Sequence, residues 1–351
     1  MRPPRMVVLV ACAAFGCDAA GAAPQGSGTS DVAVTRAAAG FLKGQLHAHT
    51  GNSGDSDTDP AEAAAWYAAR GYDFVVFTDH NVVTEVAAPP SMLVLRGVEL
   101  TQNLRTCDPA PEPGEACLLH VSALFVAPHR ERLRFTVGEG LRRVELYGRA
   151  VDRALALGGI AQLDHPNFHH GADVEILLAL AARGLTLLEV ANEAIDSDNG
   201  GDARHASTEA LWDAALSRGA RVLGTATDDA HHYGDAARVR ARGGVAYTGD
   251  RGFVMVRAER RPEAIRAAIA AGDFYASTGA VLDRVELGRE AIAVDAREPC
   301  TFEVIADGRV VATTRGRALR HDPRAAAAAW MRVRVTDAAG RRAFTQPLWL
   351  R

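Results

Sequence analysis

Short apolar runs alternate with longer amphipathic stretches along the chain from Phe41 onward. Each run has the length of a strand, about four to eight residues, and the stretches between them are long enough for helices. The predicted strands are residues 44–49, 73–79, 92–100, 118–126, 159–165, 185–192 and 222–228. This alternation is typical of βα units, so the pattern predicts a barrel-like α/β domain over residues 41–280.

Residues 59–71 carry the clearest helix signals. Asp59 stands at an N-cap position, Pro60 at the first helical position and Glu62 in the first turn, while Gly71 ends the segment. The same signals predict helices elsewhere between the strands. These helices are residues 136–157, 173–183 and 207–217.

The pattern changes to a period of two from about Val281. Residues 301–306 and 309–313 alternate in polarity on either side of an Asp-Gly turn, which predicts a β-hairpin. Residues 331–335 and 343–350 would add further strands. We therefore predict a small β-rich domain over residues 281–351, whose role is to pack against the barrel.

The length and charge of the chain restrict its class. Its 351 residues are enough for one large barrel and a small additional domain. The chain has 39 basic and 43 acidic residues, so it has no excess of positive charge with which to hold a polyanion. We do not expect extended nucleic acid as a partner.

The first residues have the pattern of an export signal, a basic start followed by a short apolar stretch. We predict a signal peptide over residues 1–22, of the lipoprotein type, with Cys17 as the lipidated residue and only that lipid contacting the membrane. Cys12 is an alternative site, and cleavage after Ala22 would instead release a soluble protein. Residues 23–40 are rich in small residues and predict a flexible linker. The expected location is the bacterial cell envelope.

Cys107 and Cys117 enclose a proline-rich loop. In an oxidising compartment these cysteines can form a disulfide, which leaves Cys300 unpaired. A metal site with two thiolates is the competing interpretation, but no further soft ligands lie nearby in the sequence. We favour the disulfide.

Histidines and carboxylates occur where several apolar runs end. The positions are His47, His49, His80, Glu99, His165, Asp229 and His231. Residues two apart in an extended strand point the same way, so His-x-His and Asp-x-His can each direct two ligands into one pocket. The carboxyl ends of barrel strands also carry the reacting groups in barrels of this kind. The pattern predicts a multinuclear metal site.

The motifs at these positions resemble those of the PHP (polymerase and histidinol phosphatase) superfamily. They are His47-Ala48-His49-Thr50, Thr78-Asp79-His80-Asn81, Gly97-Val98-Glu99, His165-Pro166-Asn167 and Asp228-Asp229-Ala230-His231. The resemblance extends from Phe41 to about Gly279. The His-Pro-Asn motif, the segment 274–279 and the β-rich tail resemble the carbaryl-hydrolase-like (CehA/McbA) branch.

The resemblance implies a distorted seven-stranded (βα) barrel similar to a TIM barrel, with two or three divalent ions of zinc, manganese or iron. It implies hydrolysis by a metal-bound hydroxide without a protein nucleophile. The implied ligands are His47, His49, Glu99 and Asp229 for the first ion, Glu99, His120 and His165 for the second, and Asp55, His80 and His231 for the third. Asp57 is an alternative to Asp55.

The function expected from these features is metal-dependent hydrolysis of a small phosphoester or of a carboxylic or carbamic ester. Asn167 and His169 follow the His-Pro turn and are candidates for contact with the substrate. Asp79 and Asp164 each precede a ligand histidine and are expected to point away from the ions. The alternative function is a non-catalytic envelope lipoprotein that binds metal or another ligand.

Overall fold

A computed structural model describes residues 40–135 and 141–351, and these residues belong to one compact unit. The predictions of a signal peptide, of lipidation at Cys17 or Cys12 and of nearly all of the linker lie outside the described residues. Within the described part of the chain, no helix is both long enough and apolar enough to cross a membrane.

The described residues form a mixed α/β structure with fifteen strands and six α-helices. The strands are β1 (Leu42–Gln45), β2 (Phe74–Phe77), β3 (Leu93–Leu104), β4 (Cys117–Leu124), β5 (Ile160–Leu163), β6 (Leu187–Asn192), β7 (Leu223–Thr227), β8 (Phe253–Val256), β9 (Phe274–Ser277), β10 (Leu282–Leu287), β11 (Ile292–Ala306), β12 (Arg309–His321), β13 (Trp330–Asp337), β14 (Arg342–Thr345) and β15 (Leu348–Trp349). The helices are α1 (Pro60–Ala68), α2 (Arg143–Ala156), α3 (Val174–Ala182), α4 (Thr208–Ser217), α5 (Ala236–Ala241) and α6 (Pro262–Ala271). The first seven strands all overlap the predicted apolar runs.

All of these strands belong to one sheet, whose neighbours follow the order β10-β11-β13-β14-β9-β8-β1-β2-β3-β4-β5-β6-β7. β12 pairs with β11, and β15 pairs with β13. The strands β1 to β3 are parallel, as are β5 to β7. β4 is antiparallel to both of its neighbours, so the sheet is not a regular succession of parallel βα units.

The expected seven-stranded barrel is not confirmed, because the sheet does not close. β8 pairs with β1 in antiparallel fashion and occupies the edge of β1 that a closing β7 would need. Just beyond the ends of β1 and β7, one isolated bridge joins Ala48 to Ala230. Its hydrogen bonds are His49 N to Ala230 O, 2.9 Å, and Asp229 N to His47 O, 3.0 Å. This bridge brings two predicted ligand pairs together without a continuous ladder.

The helix predicted over residues 136–157 begins later in the structure, at Arg143. Arg142 is its N-cap and has an extended backbone, with φ −67° and ψ 142°. Residues 136–140 lie outside the described residues. α1 agrees with its sequence signals, since Asp59 accepts a hydrogen bond from Ala61 N at 2.8 Å.

The sequence pattern missed β8, α6 and β9, although both strands are fully buried. β9 pairs with β14, and this pairing joins the C-terminal strands to the rest of the sheet. The predicted hairpin is present but its strands are longer, with β11 and β12 turning at Asp307 and Gly308. Both turn residues have positive φ, 45° and 77°, a conformation that glycine adopts without strain.

Candidate metal centre

The nine predicted metal ligands lie together at one end of the strands. Glu99 and His120 lie within β3 and β4, while the other seven lie in the segments that follow β1, β2, β5 and β7. The apolar strands carry these polar groups into the interior: His47, His49 and Glu99 have no solvent exposure. Polar residues that follow different strands in the sequence therefore form a single cluster in the structure.

The first group contains His47, His49, Asp229 and Glu99. The two Nε2 atoms of the histidines lie 3.1 Å apart. Asp229 Oδ1 lies 3.4 and 3.1 Å from them, and Glu99 Oε2 lies 3.7 and 3.5 Å from them. A cation with bonds of ~2.1 Å holds neighbouring ligands ~3.0 Å apart in an octahedron and ~3.4 Å apart in a tetrahedron. The four side chains therefore have the spacing of ligands around one ion.

The second group contains Glu99, His120 and His165. Glu99 Oε1 lies 2.7 Å from His120 Nδ1 and 3.4 Å from His165 Nε2. The two histidine nitrogens are 3.3 Å apart. Because its other oxygen faces the first group, Glu99 is placed to bridge two ions.

The third group contains Asp55, His80 and His231. Asp55 Oδ2 lies 2.9 Å from His80 Nε2 and 3.5 Å from His231 Nε2. His49 is close enough to belong to this group as well. Asp57, the alternative to Asp55, instead lines a separate surface cavity beside Trp66. The structure thus places Asp55 with the histidines and Asp57 away from them.

The residues fit cations electrostatically as well as in spacing. Glu99 Oε2 is buried and accepts no hydrogen bond of good geometry from the described residues, although His80 Nδ1 lies 2.7 Å away. Burial raises the pKa of Glu99, but His120, His80 and His47 together hold that pKa well below its usual range. Burial and the nearby His231 lower the pKa of His49 to about 3, so its lone pair is free for a cation at neutral pH.

Two predicted ligands have a backbone conformation that is rare outside glycine. His165 has a φ of 22° and Asp229 a φ of 49°. Such conformations cost about 1–3 kcal/mol each and persist where the surrounding structure enforces them, often at functional sites. The strain at these two residues is consistent with side chains held for binding.

Several residues that orient the histidines were missed by the sequence analysis. Glu189 in β6 lies 2.8 Å from His47 Nδ1 and accepts hydrogen bonds from Thr227 Oγ1 at 2.6 Å and His165 N at 2.7 Å. The signal for Glu189 in the sequence was a carboxylate inside an otherwise apolar run, residues 185–192. A group bound to the second nitrogen of a histidine fixes the tautomer and the direction of the ligand nitrogen.

Other histidines are oriented in the same way by neutral groups. Asn103 Oδ1 lies 2.8 Å from His120 Nε2, and Ser53 Oγ lies 2.9 Å from His49 Nδ1. No spacing rule links these residues to the motifs, so the sequence alone offered no signal for them.

Asp79 and Asp164 stay outside the three groups. Asp79 accepts hydrogen bonds from the backbone N and the hydroxyl of Thr50, at 2.6 and 2.7 Å. Asp164 accepts from Gln162 Nε2 at 2.9 Å, and burial raises the pKa of Asp164 to about 8. The first aspartate fixes the loop after His49, and Oδ1 of the second lies 3.8 Å from His47 Nδ1.

A cavity of about 240 Å³ opens onto the groups. Seven of the nine predicted ligands line it, the exceptions being His47 and His49. The rest of its lining is Asn103, Leu118, Phe168, Ala194, Asp196, Ser197, His232 and Tyr247. Among the described residues, no lysine or arginine lines this cavity.

Asn167 and His169, the candidates for substrate contact, do not line this cavity. The Asn167 amide donates to the backbone oxygens of Asp198 and Ala206, both at 2.9 Å. His169 contacts the carboxylate of Glu115. Both residues instead line a second cavity behind the loop that follows His165.

Cys107 and Cys117 are joined by a disulfide, and Cys300 is a buried free thiol. The disulfide lies at the start of β4, the strand that carries His120. It closes the loop that contains Glu115, the partner of His169. The cross-link thus constrains one wall next to the second group.

No protein-family model matches the chain, and no curated protein matches it. A solved structure of a two-domain protein from Bacteroides vulgatus, containing a predicted PHP-like metal-dependent phosphoesterase, aligns with 90% of this chain and 89% of its own. The two are 15% identical, and the TM-score is 0.46. A likeness this weak carries no argument about function. The described residues themselves hold several groups of His, Asp and Glu that are able to bind divalent metal ions.

Proposed function

We propose that this chain is a metal-dependent hydrolase that uses two or three divalent ions to cleave a small ester. The observation that carries the proposal is the convergence of nine predicted ligands, seven of them from five separate sequence motifs, into three adjoining groups. The motif resemblance to the PHP superfamily, and within it to the carbaryl-hydrolase-like branch, supports the same proposal. Imidazole and carboxylate ligands suit zinc, manganese and iron.

The residues around the proposed ions have two tasks. Glu99 bridges the first and second groups and fixes their separation. Glu189 and Asn103 orient His47 and His120 through their second ring nitrogens. Divalent cations in such a site polarise a substrate oxygen and lower the pKa of water towards neutrality. The open cavity beside Asn103 leaves room for a substrate there.

The lining of the cavity favours a neutral carboxylic or carbamic ester over a phosphomonoester. Leu118 and Phe168 give it an apolar wall, and Asp196 adds a negative charge. A phosphate dianion is usually held by arginine or lysine in addition to metal. The absence of both residue types from the described lining therefore argues for a substrate with less charge, with phosphoesters as the second candidate.

The proposed location is the bacterial cell envelope, with the chain exported and anchored by a lipid on Cys17. The disulfide between Cys107 and Cys117 supports export, because such bonds persist in oxidising compartments. The near balance of 39 basic and 43 acidic residues supports a small-molecule substrate over an extended nucleic acid.

The test is a side-by-side assay of p-nitrophenyl acetate, an aryl N-methylcarbamate, p-nitrophenyl phosphate and bis(p-nitrophenyl) phosphate. The protein, without residues 1–22, is loaded separately with zinc, manganese or iron, and bound metal is measured by elemental analysis. We expect two or three ions per chain and the highest kcat/KM on the acetate or the carbamate.

His49→Ala is the inactive control, because it removes a ligand of the first group. Turnover that survives this change, or that needs no metal, would contradict the proposal. Preference for a phosphate ester would still support a hydrolase, but it would make a phosphoester the substrate in place of a carboxylic or carbamic ester. Stoichiometric metal without turnover of any of the four compounds would favour the alternative of a metal-binding lipoprotein.

A further inference from the structure

A second cavity, of about 480 Å³, lies behind the loop that follows His165. None of the nine predicted metal ligands lines it. Its walls come from the start of α2, the residues before and within α4, the disulfide loop and the His169–His170 turn. The cavity is therefore separate from the cavity that opens onto the metal centre.

Arg143 is the most unusual group in this cavity. Its side chain is buried, with 8% of the residue exposed. Its Nε donates to Cys107 Sγ at 3.2 Å and its Nη1 donates to His170 O at 2.8 Å. Both acceptors are uncharged, and Arg143 forms no ion pair with any residue in 40–135 or 141–351. Its Nη2 has no acceptor among those residues.

A buried charge without a counter-charge is unfavourable. Removing an ion from water costs several kcal/mol, and buried arginines are normally paired with a carboxylate or with another anion. Glu112 in this cavity pairs with Arg204 at 2.7 Å and with His205 at 3.2 Å. Asp173 caps α3 by accepting a hydrogen bond from Ile176 N at 2.9 Å. The charge of Arg143 is the one that a ligand could balance.

A cation does not suit this cavity, although His170, Asp202 and His205 lie close enough to share one. The rings of His170 and His205 are stacked, with centroids 3.5 Å apart and planes 8° from parallel. Their lone pairs therefore lie in parallel planes and do not meet at one ion. Both nitrogens of His205 also face carboxylates, those of Asp202 and Glu112.

The remaining walls indicate the kind of anion. Ala210, Leu211 and Ala214 of α4 form an apolar surface, and Ala172 and Pro109 extend it. One unpaired guanidinium suits a single negative charge, whereas a phosphate dianion usually receives several cationic donors. Asp173 also lines the cavity, forms no ion pair among the described residues, and would repel a second negative charge.

We propose that this cavity binds a small organic monocarboxylate. Its carboxylate pairs with Nη2 of Arg143, and its apolar body lies against Ala210, Leu211 and Ala214. Sites for small ligands commonly combine a mostly apolar wall with one or two convergent polar groups.

The proposal is tested with 4-bromobenzoate as the carboxylate probe and inorganic phosphate as the dianion probe, both titrated calorimetrically into the metal-loaded protein. Arg143→Gln should weaken 4-bromobenzoate binding about 10- to 100-fold, the usual value of one charged hydrogen bond. Arg153→Gln, an exposed arginine on the same helix, should leave the Kd unchanged. Anomalous scattering from bromine in a crystal then locates the probe.

A second variant keeps the proposal testable if Arg143→Gln does not fold. Ala210 faces the cavity from an exposed position on α4, so Ala210→Phe fills the space with little strain in the core. It should abolish 4-bromobenzoate binding while Arg143 stays in place. The proposal is overturned if wild-type binding is not saturable, if neither variant changes the Kd, if phosphate depends on Arg143 more strongly than 4-bromobenzoate, or if bromine lies only in the metal cavity.

Discussion

Glu99→Gln is the most informative single change in the metal centre. Glu99 is fully buried, and its two oxygens face different groups of histidines. Oε1 lies 2.7 Å from His120 Nδ1, while Oε2 lies 2.7 Å from His80 Nδ1. Glutamine keeps the shape of the side chain but removes its charge and replaces one acceptor oxygen with an NH2 donor.

The size of the effect follows from these contacts. Removing a residue that only orients a metal ligand typically costs ~10- to 100-fold in metal affinity, and Glu99 directly faces two groups. We therefore expect at least ~100-fold weaker binding at the first and second groups. The third group keeps Asp55, His80 and His231 and should retain an ion, but with weaker affinity, because Glu99 Oε2 lies 2.7 Å from His80 Nδ1.

The assay is bound metal per chain after dialysis, combined with competition against a chromogenic chelator to give each affinity. Glu263→Gln is the matched control, because Glu263 is exposed in the first turn of α6. Turnover should fall with the lost ions in Glu99→Gln and stay unchanged in Glu263→Gln. Full metal content with wild-type affinity in Glu99→Gln would refute the bridging role.

Three further predictions test the site and its surroundings. His49→Ala should strip metal and abolish turnover, whereas His129→Ala should change neither, as elemental analysis and the ester assays would reveal. Replacing Cys107 and Cys117 together by alanine should lower the unfolding free energy by roughly 3 kcal/mol in urea denaturation, because the disulfide spans a sequence separation of 10; an unchanged midpoint would contradict this. In the metal-free protein, burial lowers the pKa of His165, but Glu99 and Asp229 raise it to about 9 overall. The stability that its proton provides is complete below the unfolded pKa of about 6.5 and is lost as pH rises through 9, by up to roughly 3 kcal/mol, so urea midpoints should fall over that interval while metal affinity rises.

The positions of the first seven strands could be read from the sequence, because a buried strand requires a short apolar run with polar residues at its ends. The close approach of His47 and His49 also follows from local geometry, since residues two apart in an extended chain point to the same side. Their nitrogens lie 3.1 Å apart in the structure. These features depend only on neighbouring residues, which is why the pattern predicts them.

The expected closed barrel could not be settled from the local pattern, because closure depends on which strand occupies the edge of β1. The structure gives that edge to β8, a strand that the apolar pattern did not single out. The direction of β4 is likewise not encoded in its own residues. Strand pairing is a long-range choice that depends on the whole connection between strands.

The residues of the metal centre show the same difference between what the sequence determines and what the tertiary structure decides. The motifs supplied the ligand types, but the choice of Asp55 over Asp57 depends on how the loop after β1 folds. Asn167 follows a ligand motif, yet its amide bonds two backbone oxygens instead of facing the metal cavity. Glu189 and Arg143 derive their importance from partners distant in sequence. Local spacing determines which side chains can point together, and only tertiary packing decides which groups meet, become buried and lose their water.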